Sequence, residues 1–486
     1  MLHRWIARHA DHAPDRVALR FEGAPITYGA LAQRVERLAG TLAARGLGHG
    51  DRVAFLGAND PAQIVLLAAC ARLGTILVPL NWRLAPPELR FMLEDSGASL
   101  LVATAEHAAQ ARDAAPSGCP VVDAGDEGPG GAHGAQGCEG DPLLLVYTSG
   151  TTGRPRGAVL DQRALLFNAL NSQHMHGFTR DDHVLTVLPM FHVGGLNIQT
   201  VPALLAGASV TLHRRFDPAA FFAECAQSRP TLSLLVPAVM QALVAHPGWE
   251  TADLSSLRMI GAGSSDVPLP LIDAFQSRGI PVQQVYGATE TSPIAIYQLA
   301  EDALAAPGSI GRPAMHVECR IADAEGRALP PGVTGEIQVR GPSVMRRYWN
   351  APEATEASLR DGWFATGDVG HVDDDGRWWF TDRIKHVIIS GGENVYPAEV
   401  ERVLRSAPGV AEGAVCGRPD PRWGEVPVAV IVPGEGFDRA AVLRHFEGRI
   451  ARYKQPRDVV VVESLPKTAL GKVRLAALRM LVAKGG

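Results

Sequence analysis

No lysine occurs in the first 384 residues of this 486-residue chain, and only five occur at all, at 385, 454, 467, 472 and 484. Arginine, with 41 copies, fills the basic positions elsewhere. Codon bias explains the general excess, so each surviving lysine merits separate weight as a compact ammonium kept where a guanidinium would carry the same charge. Cysteine is sparse too. The six, at 70, 119, 138, 225, 319 and 416, form no Cys-x-x-Cys pair, which argues against a zinc cluster or a disulfide framework and fits a reducing cytoplasm. No apolar run is long enough to span a bilayer. The longest, Ile64 to Leu80, is interrupted by Arg72 and Gly74 and reads as a helix followed by a strand. The stretch Met1 to His9 has no secretory apolar core. A net charge of −5 and a pI near 6.4 give no reason to expect nucleic acid or an anionic membrane as partner.

What remains is ordinary for a globular enzyme: 46% apolar and 20% charged residues, with length for about three domains' worth of chain. Residues 1–120 alternate helix-like and strand-like stretches. Ile26-Thr27-Tyr28 leads into an Ala/Leu/Arg helix reaching Arg45, glycines break it, and Arg52–Leu56 follows as a strand. This alternation predicts an α/β layered fold with parallel strands. Residues 125–140 are glycine-rich and read as a flexible loop within a domain. The alternation resumes over 141–340, with strands expected near Val184–Leu188, Ser209–Leu212, Leu257–Ile260 and Glu336–Val339. From Thr366 the pattern changes. A strand ending at Asp368, an acidic turn at 373–376, a returning strand at Trp378–Phe380 and a smaller α+β unit from Val387 are expected. The junction is placed at Lys385, dividing the chain into 1–384 and 385–486.

The densest chemistry lies at Tyr147-Thr-Ser-Gly-Thr-Thr-Gly-Arg-Pro-Arg-Gly157, directly behind the apolar run Leu143–Val146. Gly150, Gly153 and Gly157 let the backbone come close to a ligand. Thr148, Ser149, Thr151 and Thr152 offer hydroxyls and N–H groups to phosphate oxygens, and Arg154 and Arg156 add forked cationic donors. No Gly-Lys-Ser/Thr closes the loop, so it is not a Walker loop. A surface turn is the bland alternative, and the position behind a buried strand speaks against it.

The order Thr-Ser-Gly-Thr-Thr-Gly-x-Pro-x-Gly resembles the nucleotide-binding signature of the adenylate-forming (AMP-binding) superfamily: acyl-CoA synthetases, luciferases and peptide-synthetase adenylation domains. Three further blocks follow in that family's order: Tyr286-Gly-Ala-Thr-Glu290, Thr366-Gly-Asp368 with Asp382-Arg383, and Pro466-Lys-Thr-Ala-Leu-Gly-Lys472. The resemblance spans nearly the whole chain and is to the acyl-CoA synthetase and aryl-CoA ligase branch. It implies a large N-terminal domain of layered sheets flanked by helices, with a small β-barrel-like part, and a small mobile C-terminal α+β domain. It also implies ATP, Mg²⁺ and coenzyme A. Acid and ATP would give acyl-AMP and pyrophosphate, and CoA would then give acyl-CoA and AMP.

By the same resemblance, Thr148, Ser149, Gly150, Thr151, Thr152, Gly153 and Arg156 hold the phosphates. Arg156 stands where the family usually has lysine. Gly263, Ser264 and Ser265 flank the adenine in place of a more usual Gly-Gly-Ala. Tyr286 stacks on the purine beside Gly287 and Ala288, Thr289 bonds the α-phosphate, and Glu290 binds Mg²⁺. Asp368 accepts from the ribose diol, with Arg383 near ribose and phosphate. Lys472 is the catalytic lysine between the acyl carboxylate and the α-phosphate. Lys385 is the hinge, and Gly391 and Gly392 line the thiol tunnel. Arg83, Tyr453, Lys454 and Arg457 are weaker candidates for the CoA nucleotide, set against a solvated surface.

Pro189-Met-Phe-His-Val-Gly-Gly-Leu196 corresponds to the acyl-side segment, with His192 its catalytic-site candidate. It contains no Asp to hold a substrate amine. Val236–Met240 and Ser292–Ile294 are apolar or small, without an Arg for a dicarboxylate, so the pocket is expected to be apolar. The expected enzyme is an ATP-dependent carboxylic acid–CoA ligase. Its substrate is an apolar monocarboxylate, either a medium or long fatty acid or an aryl acid such as the hydroxycinnamate ferulate. A stand-alone adenylation enzyme loading a carrier protein is the alternative. A non-catalytic nucleotide-binding protein is the third reading, and the joint presence of Lys472, Glu290 and Asp368 argues against it. A cytoplasmic protein, compatible with a homodimer, is expected.

Overall fold

The computed structural model describes residues 1–131, 134, 137–148, 155–263, 267–390, 393–421, 423–468 and 471–484, with the backbone alone for Lys385, Glu393, Asn394 and Lys484. The chain divides into two units, Met1–Cys319 with Val339–Phe364, and Arg320–Gln338 with Ala365–Gly486. Lys385 lies within the second.

Local chemistry sets the elements of the first unit. Asp60 caps the helix Pro61–Leu73 by accepting from Ala62 N, proline opens it, and Gly74 closes it in the left-handed region at φ 78°. Every residue of that helix except Arg72 is buried, as expected of a helix that is apolar all round. The strand Ile76–Leu80 follows it. Thr27 caps the helix Tyr28–Ala44 by accepting from Ala30 N. Against this helix lies the described part of the glycine-rich stretch. The Thr41 hydroxyl donates to Glu127 O at 2.7 Å, Gly130 N donates to Thr41 Oγ1 at 3.0 Å, and Arg34 and Arg37 pair with the Glu127 carboxylate. A free loop was the expectation from composition, and these anchors replace it with a tethered one.

Two sheets carry the first unit. The seven-stranded sheet runs Arg347–Tyr348, Arg156–Asp161, Pro142–Thr148, Ile76–Leu80, Arg52–Leu56, Leu100–Ala103, Val121–Asp123. Pro142–Thr148 and Arg156–Asp161 form an antiparallel hairpin with Thr148 opposite Arg156. The nine-stranded sheet runs Arg312–Pro313, Ile296–Tyr297, Val282–Tyr286, Met259–Gly263, Leu232–Leu235, His183–Thr186, Ser209–Leu212, Val17–Phe21, Ala24–Thr27. Its central strands, from Val282–Tyr286 to Val17–Phe21, are parallel. Leu232–Leu235 and Met259–Gly263 are short, fully buried runs, as burial on both faces favours, while Val282–Tyr286 carries the buried amides Gln283 and Gln284. The segments following Thr186, Leu235, Gly263 and Tyr286 all leave carboxyl ends of these strands, where open parallel sheets place their ligands.

The strand Trp363–Val372, whose residues from Ala365 onward belong to the second unit, runs through Asp368 instead of ending there. Asp373 holds the acidic turn, its Oδ1 accepting from Asp375 N and Arg377 N at 3.1 and 2.8 Å. The returning strand Trp378–Arg383 sets Arg383 opposite Asp368. A further sheet orders Glu393–Val395, Ile388–Ser390, Gly424–Pro433 and Val410–Asp420, with Asp458–Val461 parallel to Gly424–Pro433. Helices cover both faces. Val415, Ala429 and Ile431 pack with Val400, Leu404 and Phe446, while Cys416, Val428 and Val430 pack with Leu478 and Val482. The C-terminal part is thus an α+β body with its own core.

Candidate active site

The hairpin register brings Thr148 and Arg156 together, Thr148 Oγ1 donating to Arg156 O at 3.4 Å. Ser149, Gly150, Thr151, Thr152 and Gly153, which carry the phosphate-binding expectation, lie outside the described residues, as do Ser264, Ser265, Gly391 and Gly392. Gly263 ends its strand beside Val285 of the next. Tyr286, half-buried, ends that next strand, and there the chain doubles back. A Cβ at Gly287 would lie 1.6 Å from Pro293 O, so only glycine permits the fold-back. Thr289–Thr291 form one 3₁₀ turn, closed by Ala288 N donating to Thr291 Oγ1 at 3.0 Å.

Glu290, 9% exposed, is the buried carboxylate of this turn. Its Oε1 accepts from the Tyr348 hydroxyl at 2.7 Å, and its backbone O accepts from Met345 N at 2.7 Å. The Arg156 guanidinium lies over the same Tyr348 ring, 5.9 Å from its centroid. Burial and the Glu290 charge push the phenol's pKa up, which keeps its hydroxyl a donor. Tyr348 therefore joins Arg156 to the Glu290 carboxylate, a contact no motif announces. Among the described residues no group of three or more His, Cys, Asp or Glu converges on a metal position. Mg²⁺ needs only one or two carboxylates when phosphates and water complete its shell, and Glu290 meets that requirement.

On the acyl side, Asn59 and Gln63 hold the turn before His192. Asn59 Nδ2 donates to Leu188 O at 2.9 Å, Met190 N donates to Asn59 Oδ1 at 2.8 Å, and Gln63 Nε2 donates to Met190 O at 2.9 Å. The half-buried His192 ring tilts against Phe191 with 4.5 Å between centroids. Leu196–Thr200 continues as a π-helical turn, a distortion frequent at functional sites. Asn197 Nδ2 donates to Ser292 O at 3.2 Å, the Ser292 hydroxyl donates to Ser343 O at 2.7 Å, and Asn168 Nδ2 donates to Asn197 O at 2.7 Å. Beside this segment lies a small recess with no charged side chain on its wall. Leu185, Leu188 and Leu234 line it together with Thr186, Thr200 and Gln199.

In the second unit Asp368 is buried and its Oδ1 lies 2.9 Å from Arg383 Nε. The Thr366 hydroxyl donates to Ile337 O at 2.6 Å and accepts from Asp368 N at 3.0 Å. Asp382, without a role expected beforehand, accepts from Ala398 N at 2.7 Å and so ties its strand to the helix Pro397–Leu404. Lys385 occupies a 3₁₀ turn, Ile384–His386. Lys472 is exposed on a turn closed by Thr468, whose N donates to Lys472 O at 2.7 Å. Of the weaker candidates for the CoA nucleotide, Lys454 is engaged with Glu399, Nζ lying 2.7 and 2.8 Å from its two oxygens. Arg83 lies over the Trp82 ring, 4.9 Å from its centroid.

The profile of AMP-binding enzymes matches residues 6–349, and that of the AMP-binding enzyme C-terminal domain matches residues 399–472. The chain belongs to the AMP-binding enzyme family and is an acid–CoA ligase that uses ATP, Mg²⁺ and coenzyme A. It is 50% identical to the indoleacetate–CoA ligase of Aromatoleum aromaticum, over 99% of this chain and 98% of the relative. It is 44% identical to a feruloyl-CoA synthase of Amycolatopsis sp., over 98% of each. Its fold is similar to that of O-succinylbenzoate coenzyme A synthetase from Bacillus subtilis in complex with ATP and magnesium ion, with a TM-score of 0.90, 33% identity and 98% of each chain covered. No helix among the described residues is long and apolar enough to cross a membrane.

Proposed function

We propose that this ligase activates small aryl acids. The observation that carries the reading is the charge-free wall next to the His192 segment, where Leu185, Leu188 and Leu234 stand with Thr186, Thr200 and Gln199. Two relatives covering almost the whole chain bear the names of an indoleacetate ligase and a feruloyl synthase, both for ring-bearing acids.

In the first step the acid's carboxylate attacks the α-phosphorus of ATP and pyrophosphate leaves. Thr148, Ser149, Gly150, Thr151, Thr152, Gly153 and Arg156 hold the phosphates, and Thr289 bonds the α-phosphate. Gly263, Ser264, Ser265, Tyr286, Gly287 and Ala288 flank the adenine, while Asp368 and Arg383 take the ribose side. Mg²⁺ held by Glu290 supplies neutralisation of phosphate charge. Tyr348 fixes the direction of that carboxylate, the work of an outer partner to a metal ligand. Lys472 offsets the charge that gathers between carboxylate and α-phosphate. In the second step the CoA thiol adds to the acyl carbonyl and AMP leaves. His192 borders that carbonyl, Lys385 is the pivot, and Gly391 and Gly392 line the thiol's path. All six cysteines are unpaired, which supports a reducing cytoplasm.

Rates of CoA thioester formation over a panel of acids check this reading. Arylacetates and hydroxycinnamates should lead, with malonate, succinate and phenylalanine slower by about 10²-fold or more, since a charge left unpaired there costs several kcal/mol. Efficient use of malonate or palmitate would overturn it.

A further inference from the structure

Asp368, placed on the ribose side above, follows a glycine whose N–H is held by a side chain of the neighbouring strand Gly335–Arg340. Gly367, at φ 71°, lies in the left-handed region inside the strand Trp363–Val372, where other residues go only with strain. An ideal Cβ there would meet nothing within 4 Å. Backbone conformation, and not crowding, is what asks for glycine at this position.

The contact that holds Gly367 is the last of a directed series. Arg320 Nε and Nη2 both donate to Gln338 Oε1, at 2.9 and 2.8 Å. A guanidinium can only donate, so the Gln338 amide is fixed with its oxygen toward Arg320. Its Nε2 then donates to Glu336 Oε2 at 3.0 Å. The other carboxylate oxygen, Glu336 Oε1, accepts from Gly367 N at 3.0 Å. Each oxygen of Glu336 thus receives a donor. A glutamine at 336 would bring one acceptor to these two donors and set its own NH₂ against the second.

A second contact docks the same turn one residue further along. The Thr366 hydroxyl donates to Ile337 O at 2.6 Å and accepts from Asp368 N at 3.0 Å. Consecutive residues of one strand, Glu336 and Ile337, therefore hold the backbone immediately before the buried Asp368 carboxylate. A carboxylate that accepts from two hydroxyls at once needs both distances right, so a small shift of its backbone weakens both bonds.

We infer that Glu336 is a positioning residue for nucleotide recognition: by holding Gly367 N it sets the Asp368 carboxylate for the ribose diol, and so governs how sharply the enzyme separates nucleotides with that diol from those without it. The inference rests on the ribose reading of Asp368 and adds to it. Gln338 and Arg320 act through Glu336, by fixing which end of the amide it meets.

The test compares wild type, Glu336→Gln and Glu336→Met on ATP and on 2′,3′-dideoxy-ATP, scored by kcat/KM for the nucleotide in acid-dependent pyrophosphate release. Two hydrogen bonds to a charged acceptor should make wild type favour ATP by about 10²-fold or more. Glu336→Gln should shrink that ratio, and Glu336→Met, which accepts from neither donor, should bring it below about 10-fold. A merely structural role would slow both nucleotides by the same factor and leave the ratio where it was. A ratio unchanged in both variants overturns the inference while leaving Asp368 on the ribose. A wild-type ratio near one overturns both. Should Glu336→Met fold poorly, Glu336→Gln decides alone, since it alters a single atom of the side chain.

Discussion

Tyr348 donates to Glu290 while its ring carries Arg156, so removing a single oxygen separates the two contacts. Tyr348→Phe keeps the ring under the guanidinium but takes the donor from the carboxylate. Adenylation should fall about 10-fold with a raised Mg²⁺ requirement, the usual cost of losing an outer partner. ATP–pyrophosphate exchange across a Mg²⁺ titration reads both, and an unchanged Mg²⁺ dependence would reduce Tyr348 to packing. His176 makes a second commitment. Burial and Arg258 lower its pKa to about 4, against the raising effects of Ser172 and Asp182, whereas an unfolded histidine titrates near 6.5. Between those values the unfolded chain takes a proton that the folded chain refuses. Stability is therefore full above about pH 6.5 and falls as pH drops toward 4, by about 2 kcal/mol between pH 6.5 and 5. His3 is depressed over the same window, so the measurement is a difference. His176→Asn should show a shallower pH dependence of its urea midpoint than wild type, and parallel slopes would contradict this. The candidates Glu290, Asp368 and Lys472 come from motifs, whose local spacing a sequence displays. The contacts of Tyr348 and Asn197 are not displayed there, because they arise from partners distant in the chain, such as Tyr348 and Glu290 at a separation of 58 residues.

Elements bounded by turn residues were the most legible. Arg52–Leu56 and Ser209–Leu212 match the sequence reading residue for residue, since short apolar runs between breakers have few other fates. The strand expected near Leu257–Ile260 is instead Met259–Gly263, because Leu254 and Leu257 are buried in a turn closed by Leu257 N donating to Leu254 O at 3.0 Å. Apolar turn residues imitate a strand in composition. The glycine-rich stretch misled in the opposite direction, its anchors being ion pairs to a helix about 90 residues earlier, a separation of 93 for Arg34 and Glu127. At this scale the 3₁₀ turn Ile384–His386 carries the pivot proposal. Proline at 385 fixes φ, removes an N–H and restricts Ile384, so a segment that must take two backbone states would be held in one. Lys385→Pro should form acyl-adenylate at near wild-type rates and fail at thioester formation. Equal loss of both half-reactions, or of neither, would place the pivot elsewhere.

Over the whole molecule, the proposed site residues fall in the two family segments and in the stretch between them, which holds Asp368, Arg383 and Lys385. The nucleotide and acyl residues from Thr148 to Tyr348 lie within residues 6–349, and Lys472 closes the segment 399–472. If Lys472 serves only the first step, Lys472→Ala should lower adenylation by about 10²–10³, the worth of one preorganised charge. Attack of CoA on supplied acyl-AMP should be spared. Lys472→Arg should also be poor, the planar guanidinium being a broad substitute for an ammonium. A fall by the same factor in both assays would make Lys472 structural. The central claim, that this chain joins an aryl acid to coenzyme A through an acyl-adenylate, is tested most directly by product accounting on the purified enzyme with arylacetate, ATP, Mg²⁺ and CoA. AMP, pyrophosphate and aryl-CoA thioester are expected in equal amounts, with acid-dependent exchange of label between pyrophosphate and ATP when CoA is withheld. ADP and phosphate as products, or exchange that never yields a thioester once CoA is added, would contradict it.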